Sequence, residues 1–288
     1  MSLDKNSALT HESNINDNLR ATNLFQAIDQ IRERLKRAAK VLLLLDYDGT
    51  LVPIAEKPEL ALLPENTRSL LRQLSDYPRV ILGVVSGRSL AEIKELVNLE
   101  GIIYVGNHGL EMDLLAGHYV YPEAKGFLSQ MRELKEILSQ YLPDFPGSLL
   151  EDKGLLLSLH YRKLAPNNVP ALKTLLERTL AGYSQRLEIA NGKKVWEIRP
   201  RIACNKGSAV LTILESLSIS EPDPLPIYLG DDRTDEDAFR ALADKGITIR
   251  VGDSPSPTLA HSYLTEQKEV LEFLRLLYQE FKAQAQSN

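Results

Sequence analysis

Apolar runs in the first part of the chain each end in small or polar residues. Residues 41–45 read VLLLL, residues 80–85 read VILGVV, and a third run begins at residue 101. Runs of this length, bounded by turn-forming residues, are too short for free-standing helices and predict strands buried on both faces. The residues that follow these runs read DYDGT, SGR and GNHG. The pattern therefore predicts a sheet whose strands end in residues capable of chemistry.

Helical periodicity separates these predicted strands. Apolar residues recur at helical spacing from Leu24 to Leu35, over residues 65–77 and over residues 89–98. The same alternation of helix and strand resumes after residue 200. Strands that alternate with helices predict parallel βαβ units, in which polar strand ends converge at one edge of the sheet.

The stretch between residues 109 and 200 has a different pattern. It predicts hairpins around Ala116-Gly117 and Asn191-Gly192, together with helices that are not paired with parallel strands. Hairpins mixed with helices are typical of an α+β unit. We therefore predict an α/β fold, with a Rossmann-like parallel-sheet core and an inserted α+β cap domain. The expected boundaries are a disordered tail over residues 1–20, a core over 21–108 and 201–288, and a cap over 109–200.

Composition and charge narrow the functional classes. The 288 residues carry a formal net charge of −5 and their basic residues are dispersed, which argues against a nucleic-acid-binding surface. The single cysteine, Cys204, excludes an internal disulfide and fits a reducing compartment. The amino-terminal segment lacks the pattern of a secretory signal, and no apolar run approaches membrane-spanning length. We expect a cytoplasmic protein with no nucleic-acid or membrane partner.

Two pairs of carboxylates follow predicted strands. Asp46 and Asp48 end the first strand, and Asp231 and Asp232 follow an apolar strand at residues 227–229. Carboxylates crowded at one edge of a sheet repel one another unless a cation lies among them. A few oxygen ligands suit Mg²⁺, which is bound through a small number of carboxylates and a substrate phosphate. The two pairs together predict a site for Mg²⁺ and phosphate, although each pair alone is equally typical of an ordinary turn or helix cap.

A phosphate site also requires hydrogen-bond donors and positive charge. Ser86 offers a hydroxyl and a backbone N–H at a strand end, and Lys206 offers an ammonium at the start of a predicted helix. A lone lysine is more often a solvated surface charge. We interpret the acids at residues 235–237 as helix capping, because carboxylates are favoured in the first turn of a helix. The order of the elements along the chain is what favours the phosphate interpretation.

Four segments taken in order resemble the motifs of the haloacid dehalogenase superfamily of phosphotransferases. They are DYDGT at Asp46, SGR at Ser86, the lysine at Lys206, and GDD at Gly230. The finer signatures GNHGLE, VWEIRP followed by NKG, and GDDRTDED are similar to those of the trehalose-6-phosphate phosphatase family. The resemblance covers most of the chain and implies a core of the haloacid dehalogenase type that carries out phosphoryl transfer.

The resemblance implies a role for each motif residue. Asp46 would take the phosphoryl group as an aspartyl phosphate, and Asp48 would protonate the leaving sugar oxygen and then activate water. Ser86 and Lys206 would hold the phosphoryl oxygens. Mg²⁺ would be held by the Asp46 carboxylate, the Asp48 backbone carbonyl, Asp231 and, through waters or hydrogen bonds, Asp232.

Recognition of the sugar is expected from the cap and from the loops beside it. Alternation along a strand places Glu197 and Arg199 on one face and Trp196 on the other. The resemblance implies that Lys194 and Glu197 contact the sugar, while Arg199 either joins them or pairs with a core acid at the hinge. The expected substrate-binding residues are Gly87, Arg88, Asn107, His108, Lys194, Glu197 and Arg199.

The resulting hypothesis is a Mg²⁺-dependent phosphatase, acting as a monomer, that releases trehalose and phosphate from trehalose 6-phosphate. Capped phosphatases for sucrose phosphate, glucosylglycerol phosphate or a glycosyl-phosphoglycerate stay open, because the geometry of the cap side chains decides the substrate. A phosphomutase and a catalytically inactive regulatory module that binds sugar phosphates are further alternatives.

Overall fold

The computed structural model describes residues 21–55, 57–192, 194–218, 223–252 and 257–287. The helices are α1 (Ile28–Arg37), α2 (Glu65–Ser75), α3 (Leu90–Val97), α4 (Leu128–Tyr141), α5 (Val169–Leu180), α6 (Lys206–Ser218), α7 (Asp235–Leu242) and α8 (Lys268–Ser287). The strands are β1 (Thr22–Asn23), β2 (Val41–Asp46), β3 (Val80–Val85), β4 (Ile103–Gly106), β5 (Glu111–Leu114), β6 (Gly117–Val120), β7 (Leu149–Asp152), β8 (Leu157–His160), β9 (Leu187–Gly192), β10 (Val195–Pro200), β11 (Leu225–Gly230), β12 (Ile247–Val251) and β13 (Ser262–Leu264). The tail predicted over residues 1–20 lies outside the described residues. Among the helices of the described ranges, none is long and apolar enough to cross a membrane.

A nine-stranded sheet forms the centre of the fold, in the order β1-β13-β12-β11-β2-β3-β4-β5-β6. The neighbouring pairs from β1 to β4 in this order are all parallel. All six residues of β2 are buried, as expected for a central strand covered on both faces. Leu43 packs on the side of α1, α2, α3 and α8, whereas Leu44 packs on the side of α6 and α7. The predicted α/β class with a parallel-sheet core is confirmed.

The hairpin around Ala116-Gly117 forms where it was predicted, but it belongs to the large sheet. β5 pairs antiparallel with β4, and β6 pairs antiparallel with β5. Met112 of β5 is fully buried against residues of the core, which explains this pairing. We had expected this hairpin inside the cap, which we placed from residue 109 onward. Sheet pairing therefore continues the core sheet as far as Val120, and the division into domains stays a prediction.

A second sheet covers the carboxyl edge of the first. It has four antiparallel strands in the order β7-β8-β10-β9, and we call it the roof sheet. One face of the roof sheet packs on α4 and α5 through apolar side chains that include Leu159 and Trp196. Because side chains alternate along a strand, His160 and Glu197 lie on the opposite face, and both line a cavity that reaches the core. The roof sheet therefore supplies polar groups to a site that lies on the core.

The turn between β9 and β10 lies two residues later than its sequence signal. Asn191 and Gly192 are paired strand residues opposite Trp196 and Val195, so they do not form the turn. Lys194 lies in the connection between the two strands and has a φ of 67°. Our prediction of the hairpin is confirmed, but the turn position that we took from the Asn-Gly pair was wrong.

Candidate active site

The carboxyl ends of the central strands bring the predicted motif residues together. Asp46 is the last residue of β2, Ser86 follows β3, and Asp231 follows β11. A cavity of about 280 Å³ lies between this edge and the roof sheet. Its lining includes these predicted site residues: Asp46, Asp48, Ser86, Gly87, Arg88, His108, Glu197, Lys206, Asp231 and Asp232. The convergence expected from parallel strands is therefore observed.

Lys206 is buried at the first residue of α6 and is paired with two carboxylates. Its Nζ lies 2.6 Å from Oδ1 of Asp46 and 2.7 Å from Oδ1 of Asp235. Burial lowers the pKa of Lys206, but the negative charges of Asp235 and Asp46 outweigh burial and raise the pKa above its usual range. The lysine is therefore a permanent cation inside the site.

The start of α6 is fixed by reciprocal hydrogen bonds. Ser208 N donates to Oδ1 of Asn205, and Asn205 N donates to Oγ of Ser208, each over 2.9 Å. Gly207 permits α6 to approach α7 closely, because a Cβ at this position would lie 2.4 Å from the Asp237 carbonyl oxygen. The sequence NKGS thus places the ammonium of Lys206 at a defined point beside Asp46.

Three carboxylates form a cluster that can hold a metal ion. Oxygens of Asp46, Asp231 and Asp235 all lie within 4.8 Å of one another. Burial raises the pKa of Asp46 well above its usual range; the neighbouring Lys206 opposes this, while Asp235 and Asp231 add to it. Gly49 makes room for the cluster, because a Cβ there would lie 2.1 Å from Oδ2 of Asp231. Hard oxygen donors that repel one another at this spacing fit a small divalent cation.

Asp235 is the residue of the cluster that our sequence reasoning missed. We interpreted it as a helix cap, yet its side chain is fully buried and accepts a hydrogen bond from Lys206. The exposed carboxylate of Asp232, which we predicted beside the metal, accepts instead from the backbone N–H of Arg233. The signal that could have identified Asp235 is its position four residues after Asp231, at the start of a helix that directly follows a loop carrying a site acid.

Asp48 and Arg88 form a two-point ion pair across the cavity. Nε of Arg88 lies 2.7 Å from Oδ2 of Asp48, and Nη2 lies 2.8 Å from Oδ1. Arg88 also contacts the carboxylate of Glu92, one turn along α3. Burial lowers the pKa of Arg88, but the hydrogen bonds and negative charges of Asp48 and Glu92 outweigh burial and raise the pKa above its usual value. The guanidinium predicted to bind substrate is therefore engaged by site acids.

The loops after β3 and β4 are bonded to each other. Asn107 N donates to the Arg88 carbonyl over 2.7 Å, and His108 N donates to the Ser86 carbonyl over 3.0 Å. Asn107 and His108 both have left-handed backbone conformations, with φ of 51° and 57°. A Cβ at Gly87 would lie 2.5 Å from Cε1 of His108, so glycine allows the imidazole to cross this loop. The predicted residues SGR and NH thus form one rigid rim of the cavity.

Glu197 of the roof sheet meets this rim at His108. The shortest contact joins Oε2 of Glu197 to Nε2 of His108 over 3.6 Å. Burial raises the pKa of Glu197, but the contact with His108 and the positive charges of Lys153 and Arg199 outweigh burial and lower the pKa to about 2. Glu197 is therefore a partly buried carboxylate that stays ionised beside the cavity.

Lys153, in the turn after β7, links the roof sheet to the core. Its Nζ donates to the Gly87 carbonyl over 3.1 Å, and its own carbonyl accepts from Nδ2 of Asn107 over 2.9 Å. Glu151, two residues earlier on β7, accepts from Nε2 of His160 over 2.8 Å. Lys153 and Glu151 line the cavity and were not among our predicted residues. Their segment has no motif signal, because a charged residue in a short edge strand is ordinary on a surface.

Three of the predicted substrate-binding residues, Asn107, Lys194 and Arg199, do not line this cavity. Lys194 is exposed at the β9–β10 turn. Nε of Arg199 lies 2.7 Å from Oε1 of Glu188 on the neighbouring strand, so Arg199 pairs with a cap acid rather than with the core acid that we considered. The register of the β9–β10 hairpin places Arg199 opposite Glu188 and leaves Lys194 in the connection between the strands.

Comparison with known proteins identifies the family. A family model described as Trehalose-phosphatase matches residues 44–268. The chain belongs to the trehalose-phosphatase family. The resemblance found in the motifs is confirmed, and the chain is an enzyme of the phosphoric monoester hydrolase class.

Plant relatives and a fungal structure agree with this assignment. The chain is 35% identical over 270 residues to probable trehalose-phosphate phosphatase 2 of Oryza sativa subsp. japonica, covering 84% of this chain and 69% of the relative. It is 33% identical over 270 residues to trehalose-phosphate phosphatase B of Arabidopsis thaliana, covering 89% and 70%. The C-terminal domain of C. albicans trehalose-6-phosphate phosphatase superposes with a TM-score of 0.72 at 26% identity, covering 91% of this chain and 99% of that one. The core of the haloacid dehalogenase type implied by the motifs is confirmed.

The lowered pKa of Glu197 predicts how the stability of the protein changes at acidic pH. A carboxyl whose pKa falls from 4.5 in the unfolded chain to about 2 in the folded one stabilises the fold above pH 4.5, and the contribution is lost as the pH falls toward 2. We expect Glu197→Gln to lower the free energy of unfolding by about 2 kcal/mol at pH 7 and by clearly less at pH 3.5. Urea unfolding at both pH values measures this, and an equal loss at the two would contradict it.

Proposed function

We propose that the chain hydrolyses trehalose 6-phosphate to trehalose and phosphate, with Mg²⁺, through an aspartyl phosphate on Asp46. The observation that carries the proposal is the buried Asp46 carboxylate, 2.6 Å from the Lys206 ammonium and clustered with Asp231 and Asp235 below a polar roof. A carboxylate nucleophile beside a fixed cation and a metal site is what two-step phosphoryl transfer requires.

The carboxylates of Asp46, Asp231 and Asp235 would hold the ion. We keep the Asp48 backbone carbonyl as a further proposed ligand, and we give the place predicted for Asp232 to Asp235. When bound, Mg²⁺ supplies positive charge to the phosphoryl oxygens and offsets the repulsion among the three acids. The acids fit this ion because all of their donors are oxygens at close spacing.

Asp46 acts as the nucleophile in this scheme. One of its carboxylate oxygens attacks phosphorus, the bond between phosphorus and the sugar oxygen breaks, and water later cleaves the aspartyl phosphate. Lys206, held between Asp46 and Asp235, neutralises charge on the transferring group. Ser86 lies at the end of β3 with its hydroxyl accepting from the backbone N–H of Arg88 over 3.1 Å, which leaves the hydroxyl proton for a phosphoryl oxygen.

Asp48 serves as acid and then as base. It gives a proton to the leaving sugar oxygen and later takes one from the attacking water. The pair with Arg88 orients the Asp48 carboxylate toward the cavity, and about a third of the Asp48 side chain is exposed. Asp48 enters the reaction protonated and recovers this proton from the attacking water, so the ion pair with Arg88 opens when the substrate phosphate enters and Arg88 turns to the phosphate.

The roof sheet selects the sugar. A disaccharide presents hydroxyl groups that polar side chains bind and that the wrong sugar leaves unpaired. The polar roof residues that line the cavity are Glu151, Lys153, His160, Arg162 and Glu197. We propose them as the sugar-binding set, with His108 from the core, and we withdraw Lys194 and Arg199 from it on the grounds of their positions.

Phosphate release from a panel of substrates tests the proposal. The panel contains trehalose 6-phosphate, sucrose 6-phosphate, glucosylglycerol phosphate, a glycosyl-phosphoglycerate, glucose 6-phosphate and a small aryl phosphate, each with Mg²⁺ and with chelator. We expect the highest kcat/KM for trehalose 6-phosphate and no release with chelator. Preference for another sugar phosphate would overturn the substrate, and release without a divalent cation would overturn the metal. Binding without any turnover would favour the regulatory module, and isomerised product without phosphate would favour a phosphomutase.

Glu197→Gln is expected to separate sugar selection from chemistry. The change keeps the shape of the side chain but removes a charged acceptor that lies at the cavity, so we expect kcat/KM for trehalose 6-phosphate to fall about tenfold or more. Hydrolysis of the aryl phosphate should stay within about twofold of wild type. Glu188→Gln is the matched control, since Glu188 also pairs with a cation of the roof sheet but does not line the cavity. Equal losses on both substrates would assign Glu197 to structure rather than to selection.

A further inference from the structure

Tyr228 reaches the active-site cluster from inside the core. It lies on β11, two residues before Gly230, and its side chain is fully buried. Its hydroxyl donates to Oδ1 of Asp235 over 2.7 Å. Burial raises the pKa of the phenol well above its usual value, and the negative charge of Asp235 adds to this, so the group is a permanent donor.

The carboxylate that Tyr228 binds is held at both of its oxygens. Oδ1 of Asp235 accepts from Tyr228 and from Nζ of Lys206, both over 2.7 Å. Oδ2 accepts from the backbone N–H of Asp232 over 3.0 Å. A Cβ at Gly230 would lie 2.2 Å from Cγ of Asp235, so glycine lets the strand approach the carboxylate directly. The rotation of the Asp235 carboxylate is therefore set by donors on three sides.

We infer that Tyr228 is a positioning residue for phosphoryl transfer, acting through Asp235 on the Lys206 ammonium and on the cation cluster. This inference rests on the proposed function. The Lys206 ammonium donates one hydrogen bond to Asp235 and one to Asp46. Because the Tyr228 hydroxyl also donates to Oδ1 of Asp235, Asp235 attracts the Lys206 ammonium less strongly. The ammonium therefore stays shared between Asp235 and the nucleophile Asp46.

Removing the hydroxyl changes this balance in one direction. Oδ1 of Asp235 would lose one of its two donors inside a fully buried site, and a buried carboxylate gains more from its remaining donor when another is lost. The ammonium of Lys206 would then move toward Asp235 and away from Asp46. The Asp235 oxygens would also be less fixed relative to Asp46 and Asp231, which weakens the preorganised cluster.

Tyr228→Phe isolates the hydroxyl, because the ring is held by packing of its own. It meets the ring of Phe239 edge to face, with centroids 5.9 Å apart. Tyr104→Phe is the matched control: Tyr104 is also buried in the core, and its hydroxyl donates to the Leu99 carbonyl over 2.7 Å, away from the cavity. Tyr228→Phe loses one buried phenolic hydrogen bond at the cluster, whereas Tyr104→Phe loses two, with the Leu99 carbonyl and the Leu99 N–H, away from the cluster.

The experiment compares wild type, Tyr228→Phe and Tyr104→Phe in three measurements. Calorimetric titration with MgCl₂ in the absence of substrate gives the affinity for the ion. Steady-state kinetics on the best substrate of the panel gives kcat and KM, and thermal melts give stability. For Tyr228→Phe we expect kcat to fall about tenfold with KM within about twofold, and Mg²⁺ to bind several-fold more weakly. Tyr104→Phe should lose at least as much stability, because it loses two hydrogen bonds, and should keep wild-type kcat and Mg²⁺ affinity.

Wild-type kcat and Mg²⁺ affinity in Tyr228→Phe, with a loss of stability alone as in Tyr104→Phe, would overturn the inference and leave Tyr228 a core residue. If Tyr228→Phe does not fold, Tyr228→Met, which is apolar and flexible enough to fill the site, is measured in the same way and read by the same criteria. Failure of the proposed function is distinguishable. A wild type that turns over no phosphomonoester overturns that function, whereas the Mg²⁺ titration still decides whether the Tyr228 hydroxyl organises the cluster.

Discussion

Replacing Asp46 by asparagine is expected to lower phosphate release from trehalose 6-phosphate by about four orders of magnitude or more, as loss of a covalent nucleophile does. The amide has nearly the same shape and can still accept from Lys206, so the fold should survive. Removing one negative charge from a cluster of three acids also relieves repulsion. We therefore expect a melting temperature without Mg²⁺ at or above that of wild type, and a smaller increase when Mg²⁺ is added.

Rates and melting temperatures of the purified variant, with and without Mg²⁺, check this expectation. Asp237→Asn is the control, because Asp237 lies on α7, pairs with Arg240 and does not line the cavity. It should keep wild-type turnover. Near wild-type turnover by Asp46→Asn would remove Asp46 from the role of nucleophile.

Replacing Lys206 by methionine is expected to abolish activity and to destabilise the fold. Asp46 and Asp235 would both stay buried without their cation, and breaking a buried ion pair from one side costs about 3–5 kcal/mol. Turnover should fall by about a thousandfold or more, because the transferring group loses a fixed positive charge. Calorimetry or urea unfolding at pH 7 without Mg²⁺ measures the loss of stability.

The pH dependence of this variant has a definite sign. The pKa of Asp46 is already raised by burial, and removal of Lys206 raises it further. A carboxyl with a raised pKa destabilises the fold while it is ionised, and the penalty is relieved as it takes up a proton at lower pH. The stability gap between Lys206→Met and wild type should therefore narrow from pH 8 to pH 5, and should also narrow when Mg²⁺ is added.

Lys173→Met serves as the control for charge removal, since Lys173 is a surface residue of α5 that pairs with Glu177 one turn away. Its effect on stability should be within about 1 kcal/mol and independent of pH. A Lys206→Met protein as stable as wild type at pH 8 without Mg²⁺ would contradict the central place that we give to the buried ion pairs.

The central strands and the edge that carries the site could be predicted from the sequence. The apolar run that became β2 is buried along its whole length, and β3 begins and ends at the residues that the pattern marked. Parallel strands bring their carboxyl ends to one edge, so Asp46, Ser86 and Asp231 had to converge once the strands were recognised. This part of the fold is encoded by local patterns and by the order of elements.

Asp235 shows why other site residues could not be predicted. Its local sequence fits helix capping, which is a sufficient explanation until the partner is known. That partner, Lys206, lies 29 residues earlier on another helix, and their contact depends on how α6 and α7 pack. Contacts of this kind depend on tertiary packing and cannot be derived from the spacing of residues along the sequence.

Strands β8, β9 and β10 of the roof sheet were predicted from the sequence, but strand β7 and the register of the β9–β10 hairpin were not. β7 has too little apolar alternation to be recognised, so Glu151 and Lys153 had no place in the predicted site. The pair Asn191-Gly192 carries the strongest local turn signal, yet both residues are paired in the ladder and Lys194 takes the left-handed conformation instead. Cross-strand packing, which fixes register, outweighed the turn signal here.

The most direct test of the proposed mechanism is a rapid-quench experiment with trehalose 6-phosphate carrying ³²P in its phosphoryl group. Enzyme and Mg²⁺ are mixed with substrate and quenched in acid within one turnover, and the labelled protein is digested and mapped. We predict a label on the peptide that contains Asp46, stable in acid, released by hydroxylamine, and formed and lost at rates that account for kcat. Turnover with no labelled protein at any quench time, or a label on a residue other than Asp46, would contradict it.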